Sequence, residues 1–193
     1  MVKSSPKITY LKYPALPNKK FNIIYGDLPW PYKDKGVSGK RGASQQYTTI
    51  DLVDLINFPI EKIASRNCAL FLWATDPMIR EALTVMRSWG FEFKRIAFVW
   101  IKTTLDGKKY KMGLGRWTRS NAEFVILGIR GHPKVINHSI SQIIAEPPRG
   151  HSIKPDEVRK QIVKLLGPIS RIELFARSRK HLKDGWTYWG DQA

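Results

Sequence analysis

Apolar positions in this chain fall in short dense runs separated by polar stretches rich in glycine and proline. Phe21-Asn22-Ile23-Ile24 leads into Tyr25-Gly26-Asp27-Leu28-Pro29-Trp30-Pro31-Tyr32, a β-branched run stopped by an acid and two prolines, which predicts a buried strand over about 21–26. Thr49 to Ile56 is helix-like, and Cys68 to Ala74 is an uninterrupted apolar run of the kind buried on both faces. Thr75 suits an N-cap and Pro77 the first turn of a helix in which Met78, Ala82, Leu83, Val85, Met86 and Trp89 recur at helical spacing until Gly90. Phe91 to Ile101 and Asn121 to Gly131 read as strands, and Ser139 to Glu146 as a shorter one ended by Pro147-Pro148-Arg149-Gly150. Pro155, two acids and the pattern Val158, Ile162, Leu165, Leu166 predict a helix up to Gly167, followed by a buried strand from Arg171 to Arg177. Strand and helix runs alternate well enough to predict a doubly wound α/β sheet. Asp27 then stands at a strand's carboxyl end, where such sheets place ligands.

The order acid, apolar residue, proline, aromatic in Asp27 to Trp30 fits methylation of an exocyclic amine. An aromatic amino nitrogen is a poor nucleophile because its lone pair is delocalised, so a catalyst must hold both N–H groups. The Asp27 carboxylate can accept one and the Leu28 carbonyl the other, which orients the lone pair and stabilises the charge that develops. Pro29 fixes the backbone that presents the carbonyl, and Trp30 offers a face for the base. A proline-rich turn around a half-buried tryptophan has the same four letters, so the rest of the chain must decide.

Length and charge narrow the choice. A chain of 193 residues supports one sizeable core, so residues 1–193 are read as a single domain with an arm at 1–19. Lys and Arg number 33 against 16 Asp and Glu, a net charge of +17 that points to a polyanionic partner. The one cysteine, Cys68, lies in an apolar run and the four histidines are scattered, which leaves no metal site. No run approaches a membrane span and no apolar stretch follows Met1-Val2-Lys3-Ser4-Ser5-Pro6, so the expectation is a cytoplasmic protein with no membrane partner.

Two loops carry the cations. Residues 33–46 hold Lys35, Lys40 and Arg41 among three glycines, directly after the Asp27 motif, and read as a lid. Residues 102–120 interleave Lys108, Lys109, Lys111, Arg116 and Arg119 with Tyr110 and Trp117, a combination of phosphate-binding charge and rings that stack on bases. A solvated loop with no contact is the plain alternative for each. Lys154, just before a helix start whose bare N–H groups attract anions, is a candidate for holding a carboxylate.

Four ordered blocks then carry a resemblance. They are Gly26 to Trp30; Leu70 to Thr75 with Trp89-Gly90-Phe91; Gly115-Arg116-Trp117 through Asn121-Ala122-Glu123 to Gly131; and His151 to Glu157 leading to Ile172 to Arg177 and Trp186 to Gln192. Spanning about residues 21–192, they resemble the adenine amino-methyltransferases related to the catalytic subunit of the eukaryotic messenger-RNA adenosine methyltransferase. The resemblance implies a Rossmann-like S-adenosylmethionine-dependent methyltransferase fold, circularly permuted, with the catalytic strand first and the cofactor strand last. It implies S-adenosyl-L-methionine as cofactor, held by Thr9, Tyr10, Asp27, Ser152, Lys154, Phe175, Arg177, Asp191 and Gln192, with Lys154 on the methionine carboxylate. Trp30, Tyr32 and Tyr47 would line the target pocket. Leu28 stands where the family usually has a second proline, and Asp191 where it often has asparagine. The implied activity is transfer of a methyl group to adenine in DNA, by a monomer or homodimer in a bacterial or phage-infected cell. RNA adenine, DNA cytosine, and a catalytically dead nucleic-acid-binding subunit are the alternatives.

Overall fold

A computed structural model describes residues 13–30, 49–115, 117–150, 153–177 and 184–191. Among the predicted site residues, Thr9, Tyr10, Tyr32, Lys35, Lys40, Arg41, Tyr47, Arg116, Ser152 and Gln192 lie outside the described residues, as does the 33–46 loop.

Seven strands form one sheet: β1 Phe21–Asp27, β2 Ala64–Ala74, β3 Glu92–Lys102, β4 Ala122–Arg130, β5 Ile143–Glu146, β6 Arg171–Leu174 and β7 Thr187–Trp189. Their order is β5-β3-β4-β2-β1-β6-β7. β1 runs parallel to both neighbours, and β4 is antiparallel to β2 and β3, while β3 with β5 and β6 with β7 are parallel pairs. β4 is thus the one reversed strand in an otherwise parallel sheet.

The twofold period of a strand sorts the core into two layers. Ile24 of β1, Cys68, Leu70 and Leu72 of β2 and Ile172 and Leu174 of β6 face one side, where they pack with Leu55 of helix α1 (Leu52–Ile56) and Ala82, Val85 and Met86 of α2 (Ile79–Ser88). Ile23, Tyr25, Ala69, Phe71 and Trp73 face the other, against Val158, Ile162 and Leu166 of α3 (Asp156–Leu166). Covered on both faces, β1 and β2 need the continuous apolar runs that mark them in the sequence.

Four boundaries differ from expectation. The first helix begins at Leu52 rather than Thr49, and Asp76–Met78 form a 3-10 turn before α2 starts. The strand expected over 139–146 keeps only Ile143–Glu146, an edge strand with one neighbour to hold it. The strand expected over 171–177 stops at Leu174, because Phe175 turns to φ +58. Cys68 is buried, and burial pushes its thiol up to about 12, which makes it a core residue rather than a nucleophile. No helix among the described residues is long and apolar enough to cross a membrane.

A buried polar clamp ties α3 to β6 and β7. The Arg159 guanidinium donates to Glu173 at 3.2 Å, to the Tyr188 hydroxyl at 2.7 Å and to Asp156 at 2.6 Å, and lies 3.5 Å from Asp184. Burial alone would lower the pKa of this guanidinium, but Glu173, Tyr188 and Asp156 together raise it.

Candidate active site at the carboxyl edge of the sheet

Because six strands run one way, the carboxyl ends of β1, β2, β3, β5, β6 and β7 share one edge. The reversal of β4 brings its amino end, with Glu123, to that same edge. Asp27, Trp73, Lys102, Glu123 and the Phe175–Arg177 segment therefore meet there, although they are spread over 150 positions of sequence. β1 sends the chain to β2 on one side, while β6 sends it to β7 on the other. The crevice between the ends of β1 and β6 is thus the switch point of the sheet.

Four charged groups alternate along this edge. The Lys154 ammonium lies 3.3 Å from Asp27 and 2.7 Å from one Glu123 oxygen, and Lys102 donates to the other Glu123 oxygen at 2.6 Å. Two indoles make the floor. Lys154 sits 5.2 Å over the Trp73 ring and Lys102 5.0 Å over Trp100, and the two rings meet edge to face at 6.1 Å. Each indole is itself pinned, Trp73 donating to the Tyr25 hydroxyl at 2.6 Å and Trp100 to the Glu146 carbonyl at 2.9 Å. Fixed rings beneath the ammonium groups stabilise them by cation–π attraction and limit their reorientation.

The two carboxylates respond differently. Burial pushes the Asp27 carboxyl up; Lys154 pulls it back, Glu123 adds to the rise and Arg177 opposes it, leaving the net direction upward. Glu123 is desolvated too, but Lys154 and Lys102 flank it and hold it below the usual carboxylate range. Asp27 nevertheless keeps about 30% of its side-chain surface open, against 13% for both Lys154 and Glu123. One carboxylate is thus fixed and ionised within the protein, while the other faces outward with its pKa moved toward neutrality. That difference is what an acceptor of a substrate proton requires.

Across the crevice, Phe175 is 6% exposed and packs against Phe58, Trp189 and Tyr13, with ring centroids 5.7, 5.4 and 5.7 Å away. Its positive φ is a strained conformation for an aromatic residue. The strain is held by backbone pairing beyond it, where the Ala176 N–H donates to the Trp189 carbonyl at 3.0 Å. A Cβ at Gly190 would come within 2.2 Å of the Ala176 carbonyl, so only glycine lets the ends of β6 and β7 approach this closely. Arg177 lies near enough to Asp27 to act on its charge, and partly buried Asp191 follows β7 at the same edge.

Two expectations need correction. The Leu28 carbonyl is not free, because it accepts the Trp30 N–H at 2.9 Å; one lone pair remains for a substrate. Trp30 is 1% exposed and packed in the core with Leu28, Ile50 and Leu55, so it is not an open stacking face, and its indole N–H has no partner among the described residues. Lys154, expected to hold an incoming carboxylate, pairs with two carboxylates of the protein itself, Asp27 and Glu123. Pro29 anchors the turn, its carbonyl accepting the Ile50 N–H at 3.0 Å. Lys108, Lys109, Lys111, Trp117 and Arg119 are all exposed, on a projection that joins β3 to β4.

Sequence reasoning did not pair Glu123 with Lys102, nor set Trp73 and Trp100 beneath them as a floor. The available signal was a carboxylate and a lysine at the facing ends of adjacent apolar runs. It becomes meaningful only once β4 is known to be reversed. A surface groove of about 700 Å³ along the outer side of α2, lined by Asp76, Arg80, Glu81 and Arg87, shares none of these groups.

The MT-A70 family model matches residues 21–192. The chain belongs to the MT-A70 family. It is 33% identical over 196 residues to the type II methyltransferase M.MunI of Mycoplasma sp, a match spanning 92% of this chain and 80% of that protein. It is 26% identical over 175 residues to the N(6)-adenosine-methyltransferase catalytic subunit of Homo sapiens, and 25% over 174 residues to the MT-A70-like N(6)-adenosine-methyltransferase of Arabidopsis thaliana. Those matches span about nine-tenths of this chain but only 28% and 24% of the two eukaryotic proteins. This MT-A70 chain is a methyltransferase, and the edge that carries Asp27 is its candidate active site.

Proposed function

We propose that this MT-A70 methyltransferase transfers a methyl group from S-adenosyl-L-methionine to the exocyclic amine of adenine in DNA. The observation that carries the proposal is Asp27 itself, half-open at the switch-point crevice with a raised pKa and a lysine fixing its position. The crevice suits the cofactor: its carboxylates complement a sulfonium and the ribose hydroxyls, and Phe175 gives it an aromatic wall. Asp27, Phe175, Arg177 and Asp191 would hold the cofactor, with Thr9, Tyr10, Ser152 and Gln192 supplying the rest. Bound there, it would supply an electrophilic methyl group. Asp27 accepts one amine N–H and the remaining lone pair of the Leu28 carbonyl the other, which orients the nucleophile. Asp27 then takes the proton that the amine sheds on methylation. Lys154 holds the carboxylate in place, and Glu123 holds Lys154. The strand order supports reading the fold as circularly permuted, with the catalytic strand β1 first and the cofactor strand β6 late.

DNA is favoured because the bacterial type II relative is matched over most of its length. The eukaryotic N(6)-adenosine-methyltransferases keep RNA adenine as the second reading. Mass spectrometry of nucleosides from DNA and RNA incubated with the protein and cofactor is expected to show N6-methyladenine in DNA. N6-methyladenosine in RNA alone would move the substrate, and no methylated base in either would end the proposal. A target adenine in a duplex must leave the stack to reach Asp27.

Two variants test the parts. Lys154→Met is expected to lower kcat about 100-fold and to move the acid limb of the pH–rate profile upward, because removing a cation lets the Asp27 pKa rise further. A large rise in cofactor Kd with an unmoved acid limb would return Lys154 to a carboxylate-binding role. Reversing Lys108, Lys109 and Lys111 to glutamate is expected to weaken DNA binding at least about tenfold near 0.15 M salt and to flatten its salt dependence by up to about three in log–log slope. Unchanged anisotropy titrations would remove this loop from the footprint.

A further inference from the structure

The segment between β3 and β4 is built to project, and what it projects is apolar. Trp117 is 100% exposed, Leu105 90%, Leu114 84%, Tyr110 65% and Met112 64%. Five large apolar side chains open to water on one short segment exceed what scattered surface hydrophobes explain, and mark a contact surface. The segment is also tied together. Thr103 and Tyr110 bridge, the Lys111 N–H donates to the Lys102 carbonyl at 2.7 Å, and the Gly113 N–H to the Ser120 carbonyl at 2.8 Å. Two glycines permit the second tier, since a Cβ at Gly113 or Gly115 would fall 2.3 Å from the Ser120 carbonyl or 1.9 Å from that of Thr118. The chain therefore doubles back sharply and leaves Trp117 at the tip.

Both feet of this projection stand in the active site. Its first residue after β3 follows Lys102, and it re-enters the sheet just before Glu123, the pair joined at 2.6 Å beside Lys154. The Lys102 N–H donates to the Asn121 carbonyl at 2.8 Å and closes the base of the loop. Charge decides the partner. Residues 103–120 contain Lys108, Lys109, Lys111, Arg116 and Arg119 against the single acid Asp106, and the chain carries +17 overall. A second copy would bring like charge to like charge, whereas a phosphate backbone complements it.

We propose that this loop is a wedge for duplex nucleic acid: its cations seat on the phosphates while Trp117, backed by Leu114 and Met112, enters the base stack where the target adenine leaves. The inference rests on the proposed adenine methylation. Extruding a base costs a few kcal/mol of lost stacking and pairing, and an apolar side chain in the vacated space offsets part of it. A base that is already single-stranded needs no such help. The wedge therefore matters for duplex substrates and not for melted ones.

The test compares methylation of unmodified plasmid DNA, native and heat-denatured, by the full-length protein. For Trp117→Ala the ratio of native to denatured activity is expected to fall at least tenfold against wild type, and Trp117→Phe is expected to restore most of it. Trp117 buries nothing in the folded chain, so its removal leaves the fold intact. An unchanged ratio, whether or not total activity falls, overturns the wedge. An unchanged ratio with a shift from dimer to monomer in sedimentation would assign the tip to a contact between copies instead. Wild-type protein inactive on both DNAs would refute the adenine-methylation reading itself, a result separable from failure of the wedge.

Discussion

Asp27→Ala is expected to lose methyl transfer by at least about 1000-fold in kcat/KM, because it removes the group proposed both to orient the amine and to accept its proton. Asp27→Asn is expected to be nearly as inactive, since an amide accepts a hydrogen bond but does not take a proton. Turnover near wild type in either variant, read by labelled methyl transfer, would remove the assignment. The pH dependence follows from the upward shift of Asp27. Activity needs the carboxylate, so the acid limb lies above the ordinary range of about 3.9. Stability runs the other way. A carboxyl whose folded pKa is raised favours folding most when protonated, and that advantage is lost as pH rises from about 3.9 through the folded pKa. At neutral pH, Asp27→Asn is therefore expected to melt higher than wild type, the gap closing below about pH 4. Thermal scans at the two pH values check the sign.

Arg159→Met is expected to cost the largest amount of stability of any single change discussed here, about 3–5 kcal/mol. Arg159 is 6% exposed, and its removal takes away the guanidinium that meets Glu173, itself buried, together with Asp156 and Tyr188. The cost lies less in the lost attraction than in leaving a buried carboxylate without the guanidinium that faces it. In a chain of this size it corresponds to a fall of roughly 10 °C in Tm. Arg159→Met with Glu173→Gln removes the stranded charge and is expected to recover part of the loss. A single variant within about 1 kcal/mol of wild type would mean that water or rearrangement satisfies Glu173.

The contrast between these two acids separates what could be read in advance from what could not. Asp27 was legible because a strand that ends in an acid before two prolines announces its own termination, and the carboxyl end of such a strand is where ligands go. The strands at 68–74 and 121–131 and the helix after Pro155 were legible for the same local reason: period and punctuation lie within a dozen residues. Glu123 was not, because its value depends on the direction of β4, which no short-range pattern encodes. Lys154 was placed at the site, but its pairing with Asp27 was not legible, since their closeness is a tertiary fact spanning 127 positions. Trp30 was read as a face for the base from the order of the motif alone. The packing of Ile50 and Leu55 above it buries the ring.

The pairing of β1 with β6 has a consequence for how the molecule comes into being. β1 has its second neighbour far along the chain, Asn22 bonding Ser170 across 148 positions. Until that late segment docks, Asp27 lacks one wall and its central strand has a raw edge. Folding should accordingly be slow for a domain of this size, since so distant a closure must be made before it is rewarded. The site would also remain incomplete until β6 has docked against β1.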